Sequence, residues 1–363
     1  MNITGIVVEY NPLHQGHYHH LKQARALTQA DFLIACMSPN VVQRGEFAFV
    51  DKFRRTAKAL ELGVDAVVEL PTLYTLQSAD VFAYEAVKRL YQMGCDTLVF
   101  GSESNRLDLL QEIADLPVNL SYFKESMKSG DSYARALTLA SDQLAPNDIL
   151  AIAYLRALKT FPMKALSIQR TNQYHGQNQE IFSASEIREN YQDARYQAQS
   201  LIELSQVVLA DQMYPLLRYQ LLSTPASELK QYFLVQEGIE NHLVSCAREA
   251  LTYEHFLNLA TTRRYTTSRI RRTLLHILLQ HKSDQIEKLP SCDVVRLLGF
   301  RKEIQPYLRQ LQDQDLRLAT RFSDLPKPFA QMELKTTEIY ALFLPLEKQK
   351  ALVKQELSKI IIR

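Results

Sequence analysis

The chain has 363 residues, of which 46% are hydrophobic and 23% charged, with a formal net charge of +2. That length supports a sizeable core and two domains, and the composition excludes a disordered chain, a collagen-like repeat and a small disulfide scaffold. No apolar run approaches the roughly 18 residues of a membrane span, and the start MNITGIVVEY lacks the basic segment of a secretory signal, so a cytoplasmic protein is expected.

The first strand is expected at 3–10 (ITGIVVEY), followed by amphipathic helix at 19–29. Further strands are expected at 31–38, 66–70, 96–103 and 164–170, with helices at 51–62 and 79–93 and two more filling 119–160. Short β-branched runs alternating with helices imply βαβ units and a mainly parallel sheet. Right-handed crossovers then bring the strands' carboxyl ends to one edge, where open α/β sheets bind ligands. After residue 195 strand signals stop, and 196–222, 227–235, 268–281 and 337–357 read as helices. The expected architecture is a Rossmann-like α/β domain with a mainly parallel sheet over 1–195, then an all-α domain over 196–363. Cys36, Cys95, Cys246 and Cys292 form no CxxC pair and no finger-like spacing, which points away from zinc and from disulfides.

Residues 5–21, GIVVEYNPLHQGHYHHL, carry the first chemistry. The HQGH run, His14 to His17, falls where a strand ends and a helix begins. Gly16 lets the backbone approach a ligand there, and the unpaired N–H groups of a helix start favour an anion. His14 and His17, three residues apart, share one side of the first turn and can donate hydrogen bonds to phosphate oxygens. A metal is the rival ligand, but the spacing is too short for the HExxH pattern and no cysteine is adjacent. His19 and His20 read as outer helix positions.

A second element is IFSASEIREN (181–190), in which Ser183 and Glu186 have the spacing of a capping box. It is either simply a capped helix or a second anion-facing helix start with Ser183, Ser185 and Arg188 near phosphates.

Charge is uneven along the chain. Residues 1–200 carry 19 Lys and Arg against 22 Asp and Glu, whereas 201–363 carry 23 against 18. Residues 263–302 hold ten basic and three acidic side chains, including Arg263, Arg264, Arg269, Arg271 and Arg272 in RRYTTSRIRR. Such an excess is either a footprint for nucleic acid or a solvated helix face.

Together with MSPNVVQRGEFAFVDKFRRTAKALELGVDAVVELP, LVFGSES, PNDILAIAYLRAL, SASEIRE, RYTTSRIRR and VVRLLGFRKE, the opening stretch resembles the bacterial tRNA(Met) cytidine acetate ligase family of HIGH-type nucleotidyltransferases over nearly the whole chain. The resemblance implies activation of acetate by ATP to acetyl-adenylate, then acetylation of N4 of the wobble cytidine of elongator tRNA(Met). It implies a nucleotidyltransferase domain whose ATP cradle is Val7, Val8, Glu9, Tyr10, Asn11, Pro12, Leu13, His14, Gln15, Gly16, His17, Tyr18, His19 and His20. Gly101, Asn147, Arg170, Ser183 and Ser185 complete the ATP site, and His14, His17 and Arg188 are the expected catalytic residues.

Single positions have plainer explanations: Gly101 as a turn glycine, Asn147 as a helix N-cap and Arg170 as a strand-end charge. Gln43, Arg44, Glu46 and Asp51 are candidates for the acetate pocket or for docking the target base, and could equally cap a helix. Pro39 and Phe47 depart from the family pattern, which has glycine and proline there, so the pocket shape at that loop is open. ATP is the expected co-substrate with Mg²⁺ as its companion ion, and tRNA and acetate are the expected partners, with no DNA, no membrane and no protein-held metal. The alternatives are a small-molecule adenylyltransferase and a non-catalytic RNA-binding protein on the same scaffold. The five arginines are expected to track tRNA separately from ATP chemistry.

Overall fold

The computed structural model describes residues 1–116, 144–170 and 181–363. The expected strands form as β1 (Ile3–Val8), β2 (Phe32–Met37), β5 (Ala66–Glu69), β6 (Thr97–Ser102) and β7 (Lys164–Gln169). A small antiparallel hairpin, β3 (Val41–Val42) and β4 (Glu46–Phe47), was not anticipated. The helices used below are α1 (Gln15–Thr28), α2 (Lys52–Glu61), α3 (Ala79–Gln92), α4 (Pro146–Leu158) and α5 (Ala184–Glu189). The remainder of the helical expectation for 119–160, residues 119–143, lies outside the described residues.

The second half corrects the expectation that strands stop near residue 195. Its helices include α6 (Thr267–Leu278), α7 (Lys327–Ala341) and α8 (Leu346–Glu356), but β8 (Val295–Phe300), β9 (Leu318–Ala319) and β10 (Ile361–Ile362) return to the main sheet. The strand order is β10-β8-β5-β2-β1-β6-β7, with β9 beside β8. Neighbours are parallel except β5 and β8, which run antiparallel. All six residues of β8 are buried, and a strand covered on both faces has no alternation to betray it.

Within the sheet, alternate side chains serve two cores. Leu33, Ala35 and Met37 of β2 pack on one face, Ile34 and Cys36 on the other. The first core runs without a break from Val8, Val67 and Val99 to Leu217, Leu243, Phe256 and Leu274 in the second half. The helices beyond residue 195 therefore share a core with the sheet.

A buried ionic cluster fastens the same junction. Lys52 at the start of α2 donates to Glu69 of β5 at 2.5 Å and to Glu356 of α8 at 2.8 Å. Arg296 of β8 reaches the same two carboxylates at 2.8 and 2.6 Å. The Thr337 hydroxyl donates to Glu356 and accepts from the Asn40 amide, tying α7 and the loop after β2 into the cluster. Two cations and two carboxylates compensate each other out of water, so removing one leaves an unbalanced charge. Lys52→Met should lower unfolding stability by about 3 kcal/mol or more; a urea-unfolding loss under about 1 kcal/mol would contradict a fastening role.

Candidate active site

β2 and β6 lie on opposite sides of β1, so the chain order reverses there and a crevice opens beyond the carboxyl ends of β1 and β6. The chain leaving β1 enters that crevice through Glu9, Tyr10 in a left-handed conformation (φ 51°) and a cis Asn11–Pro12 bond. His14 is the N-cap of α1. Its Nδ1 accepts the Gly16 N–H at 3.0 Å, while Nδ1 of His17 accepts the His14 N–H at 3.3 Å. This is a capping box built from two imidazoles. An acceptor at Nδ1 puts the proton of each neutral ring on Nε2. The ring centroids lie 4.0 Å apart. Gly16 is required because a Cβ there would meet Cε1 of His14 at 2.8 Å.

Burial pulls the His14 pKa down to about 4, helped by Arg170 and Arg188. The same causes act on His17: burial first, then His14 and Arg170 hold it well below the usual imidazole range. At neutral pH both rings are uncharged N–H donors, and the formal charge comes from the guanidinium groups. His20 departs from its expected outer position. Its Nε2 is sealed with no hydrogen-bond partner among the described residues, and burial followed by Arg170 lowers its pKa to about 4.

The loop is clamped from several sides. The Gln15 N–H donates to the Gln199 carbonyl at 3.1 Å, and the Leu201 N–H donates to the Leu13 carbonyl at 2.9 Å. Arg188 donates to the Asn11 carbonyl at 2.6 Å and to the Ser185 hydroxyl at 3.3 Å. Ser183 and Glu186 form the expected capping box of α5, so the Ser183 hydroxyl is occupied by the Glu186 N–H. Thus α5 meets the histidine loop through Arg188.

On the far side, a Cβ at Gly101 would sit 3.1 Å from Cγ of Arg170, so the two cover one another at the ends of β6 and β7. Asn147 is not an N-cap, since Ala145 holds that position of α4. Instead the Asn147 N–H and amide donate to Glu103, the backbone bond measuring 3.1 Å, and Asp148 accepts the Glu103 N–H at 3.1 Å. These bonds fix the turn that follows β6.

Beside β2 the wall is acidic and basic at once. Glu9 Oε1 accepts the Gln43 N–H at 2.7 Å and the Ser38 hydroxyl at 3.4 Å. Burial raises its pKa, opposed by the Gln43 N–H and by Arg44, Arg55 and Arg188. Arg55, which the sequence did not flag, is fully buried and donates to the carbonyls of Val50 at 2.8 Å, Glu9 at 2.6 Å, Ser38 at 3.2 Å and Pro39. A lone arginine on the buried face of an amphipathic helix was the available signal. Asp51 caps α2 through the Phe53 and Arg54 N–H groups, each at 3.0 Å. Phe47 is absorbed between Tyr340 and Phe343.

The five arginines divide. Arg271 pairs with Glu46 at 2.5 Å, and Arg272 donates to the Gln43 carbonyl at 3.3 Å. Gly45 (φ 83°) presses on α6 so closely that a Cβ would lie 2.3 Å from the Arg272 nitrogen. These two arginines therefore brace the β3–β4 hairpin. Arg263 and Arg264 are exposed, while half-buried Arg269 shares Tyr265 and Glu237 with Arg264.

Residues 1–356 match the family model for HIGH nucleotidyl transferases, and the chain belongs to that family. The tRNA(Met) cytidine acetate ligase of Latilactobacillus sakei is 37% identical, over 86% of this chain and 85% of that protein. The enzyme of the same name from Oceanobacillus iheyensis is 33% identical with both chains fully covered, and the one from Bacillus subtilis is 34% identical over 96% and 93%. Among solved structures, Thermotoga maritima TmcAL bound with alpha-thio ATP superposes with a TM-score of 0.87 at 28% identity, both chains fully covered.

Two outcomes follow from the site itself. In an NMR pH titration, His14 should stay neutral until pH falls to about 4, so no charging near pH 6.5 should be seen. Because the folded pKa is depressed, stability falls as pH drops from about 6.5 toward about 4. Gly16→Ala should force the His14 ring off its cap and cost about 1–3 kcal/mol, read by urea unfolding; a neutral substitution would refute the close packing.

Proposed function

We propose that this chain uses ATP to activate acetate as acetyl-adenylate and transfers the acetyl group to N4 of the wobble cytidine of elongator tRNA(Met). The observation that carries this reading is the neutral imidazole pair at a helix start in the switch-point crevice, beside Arg170 and Arg188, in a chain similar to ligases of that name along its length. Acetate cannot acylate an amine directly, because oxide would have to leave. Attack of its carboxylate oxygen on the α-phosphorus expels pyrophosphate and yields a mixed anhydride from which AMP leaves readily. The protein's part is to hold the reactants in line and to meet charge growing on the departing pyrophosphate.

His14 and His17 direct Nε2–H donors at the phosphates, with Arg188 as the nearby cation, and these three are the proposed catalytic residues. Val7 to His20, Gly101, Asn147, Arg170, Ser183 and Ser185 frame the nucleotide, Asn147 by fixing the turn after β6 rather than by capping α4. Mg²⁺ would enter as the counter-ion of the triphosphate, where it would supply electrostatic stabilisation. Arg263, Arg264 and Arg269 offer charge suited to the phosphates of an anticodon loop. The reaction belongs in the cytoplasm, where ATP and tRNA meet.

Incubation with ATP, labelled acetate and tRNA tests the function: label should enter elongator tRNA(Met) as N4-acetylcytidine. Adenylylated small molecules, or tight RNA binding without turnover, would favour another function. Arg264→Ala with Arg269→Ala should weaken tRNA binding about tenfold or more and flatten its salt dependence, affecting acetate-dependent ATP–pyrophosphate exchange far less. Arg272→Ala, which unseats the hairpin, should reduce both; equal behaviour of the two variants would contradict the division among the arginines.

A further inference from the structure

Glu9 is a carboxylate placed where every other expected substrate group is an anion. Triphosphate, acetate and acyl phosphate would all be repelled by it, so it suits a donor. Its Oε1 is taken by the Gln43 N–H and the Ser38 hydroxyl, and the described residues give Oε2 no hydrogen bond. Glu9 belongs to the nucleotide loop by its backbone, whereas its carboxylate is held from the β2 side of β1. Gly101 and Arg170 lie at the ends of β6 and β7, whereas Ser38 and Gln43 follow β2, and β2 and β6 flank β1 on opposite sides. The hairpin that holds Glu9 is the one braced by Arg271 and Arg272 of the basic helix. Gln43 thus links the Glu9 carboxylate to Arg272 of that helix.

We propose that Glu9 accepts a hydrogen bond from the cytosine N4 amine and is the general base of the acyl-transfer step. This rests on the function proposed above and assigns its second half-reaction. N4 forms a bond to the acetyl carbonyl carbon, the bond from that carbon to the AMP oxygen breaks, and AMP departs with the electron pair. The N4 proton passes to Oε2 of Glu9 and then to solvent. Carboxylate recognition of a cytosine exocyclic amine is ordinary donor–acceptor matching. The groups surrounding Glu9 are Arg44 on the hairpin, Arg55 on α2, Arg188 on α5 and Tyr154 on α4. Burial outweighs the three arginines and leaves the carboxyl more basic than a free one, which favours proton acceptance near neutral pH.

The test compares wild type, Glu9→Gln and Glu9→Asp as full-length proteins, in acetate-dependent ATP–pyrophosphate exchange and in single-turnover acetyl transfer to tRNA(Met) across pH 5.5 to 8.5. Glutamine keeps an oxygen for the Gln43 N–H but cannot take a proton. The expected result is a fall of about 100-fold or more in the transfer rate of Glu9→Gln, at least tenfold larger than any fall in its exchange. The rise of wild-type transfer with pH should vanish in this variant, while Glu9→Asp should retain that rise at a reduced rate. Near-normal transfer by Glu9→Gln would make Glu9 a brace for the hairpin only. An equal fall in exchange would assign it to ATP activation. Either result overturns the proposal while leaving the overall function standing, whereas a wild type that never acetylates tRNA(Met) overturns that function and this step with it. Should Glu9→Gln fail to fold in a circular dichroism melt, the Glu9→Asp pH profile decides: loss of the rise overturns the proposal and its retention supports it.

Discussion

The sheet edge beyond β1 depends on one reciprocal contact: two imidazoles capping each other at the first turn of α1. Each Nδ1 is committed to a backbone N–H, so each Nε2 carries the proton and neither ring can present the other tautomer without breaking the helix start. Gly16 is the one residue whose absent side chain leaves space for that geometry. Charge is separated from donation, because burial keeps the histidines neutral while Arg170 and Arg188 stand nearby as permanent cations. An arrangement fixed in this way presents its N–H donors without first having to reorganise.

That first turn is rigid only because distant parts of the chain hold it. The 199–201 segment pairs with the loop, Arg188 grips Asn11, and Arg55 gathers the carbonyls at the ends of β1 and β2. Beneath them, Lys52, Glu69, Arg296 and Glu356 join α2, β5, β8 and α8 in one compensated cluster. The second half is thus continuous with the main sheet, and α6 reaches the loop after β1 through the β3–β4 hairpin.

The parallel sheet, the histidine loop and the capping box of α5 were legible because each leaves a local mark: alternating β and α periods, a glycine between histidines, a serine three residues before a glutamate. What was not legible is non-local. Val295–Phe300 has no alternation, since neighbours cover both of its faces, and it lies among helical segments. Arg271 and Arg272 look like Arg263 and Arg264 in sequence, and only the fold turns one pair onto the hairpin. His20 seemed to belong to an outer face, but its ring turns inward. Asn147 read as the N-cap of α4 but lies in its first turn, where Glu103, a partner 44 residues away, holds it.

The most direct test of the central claim is a crystal structure with a non-hydrolysable ATP analogue. The account predicts phosphate oxygens about 3 Å from Nε2 of both His14 and His17, the Nδ1 atoms still on their backbone N–H groups, and the nucleotide passing over Gly101. A triphosphate bound away from α1, or rings flipped to offer Nδ1, would contradict it.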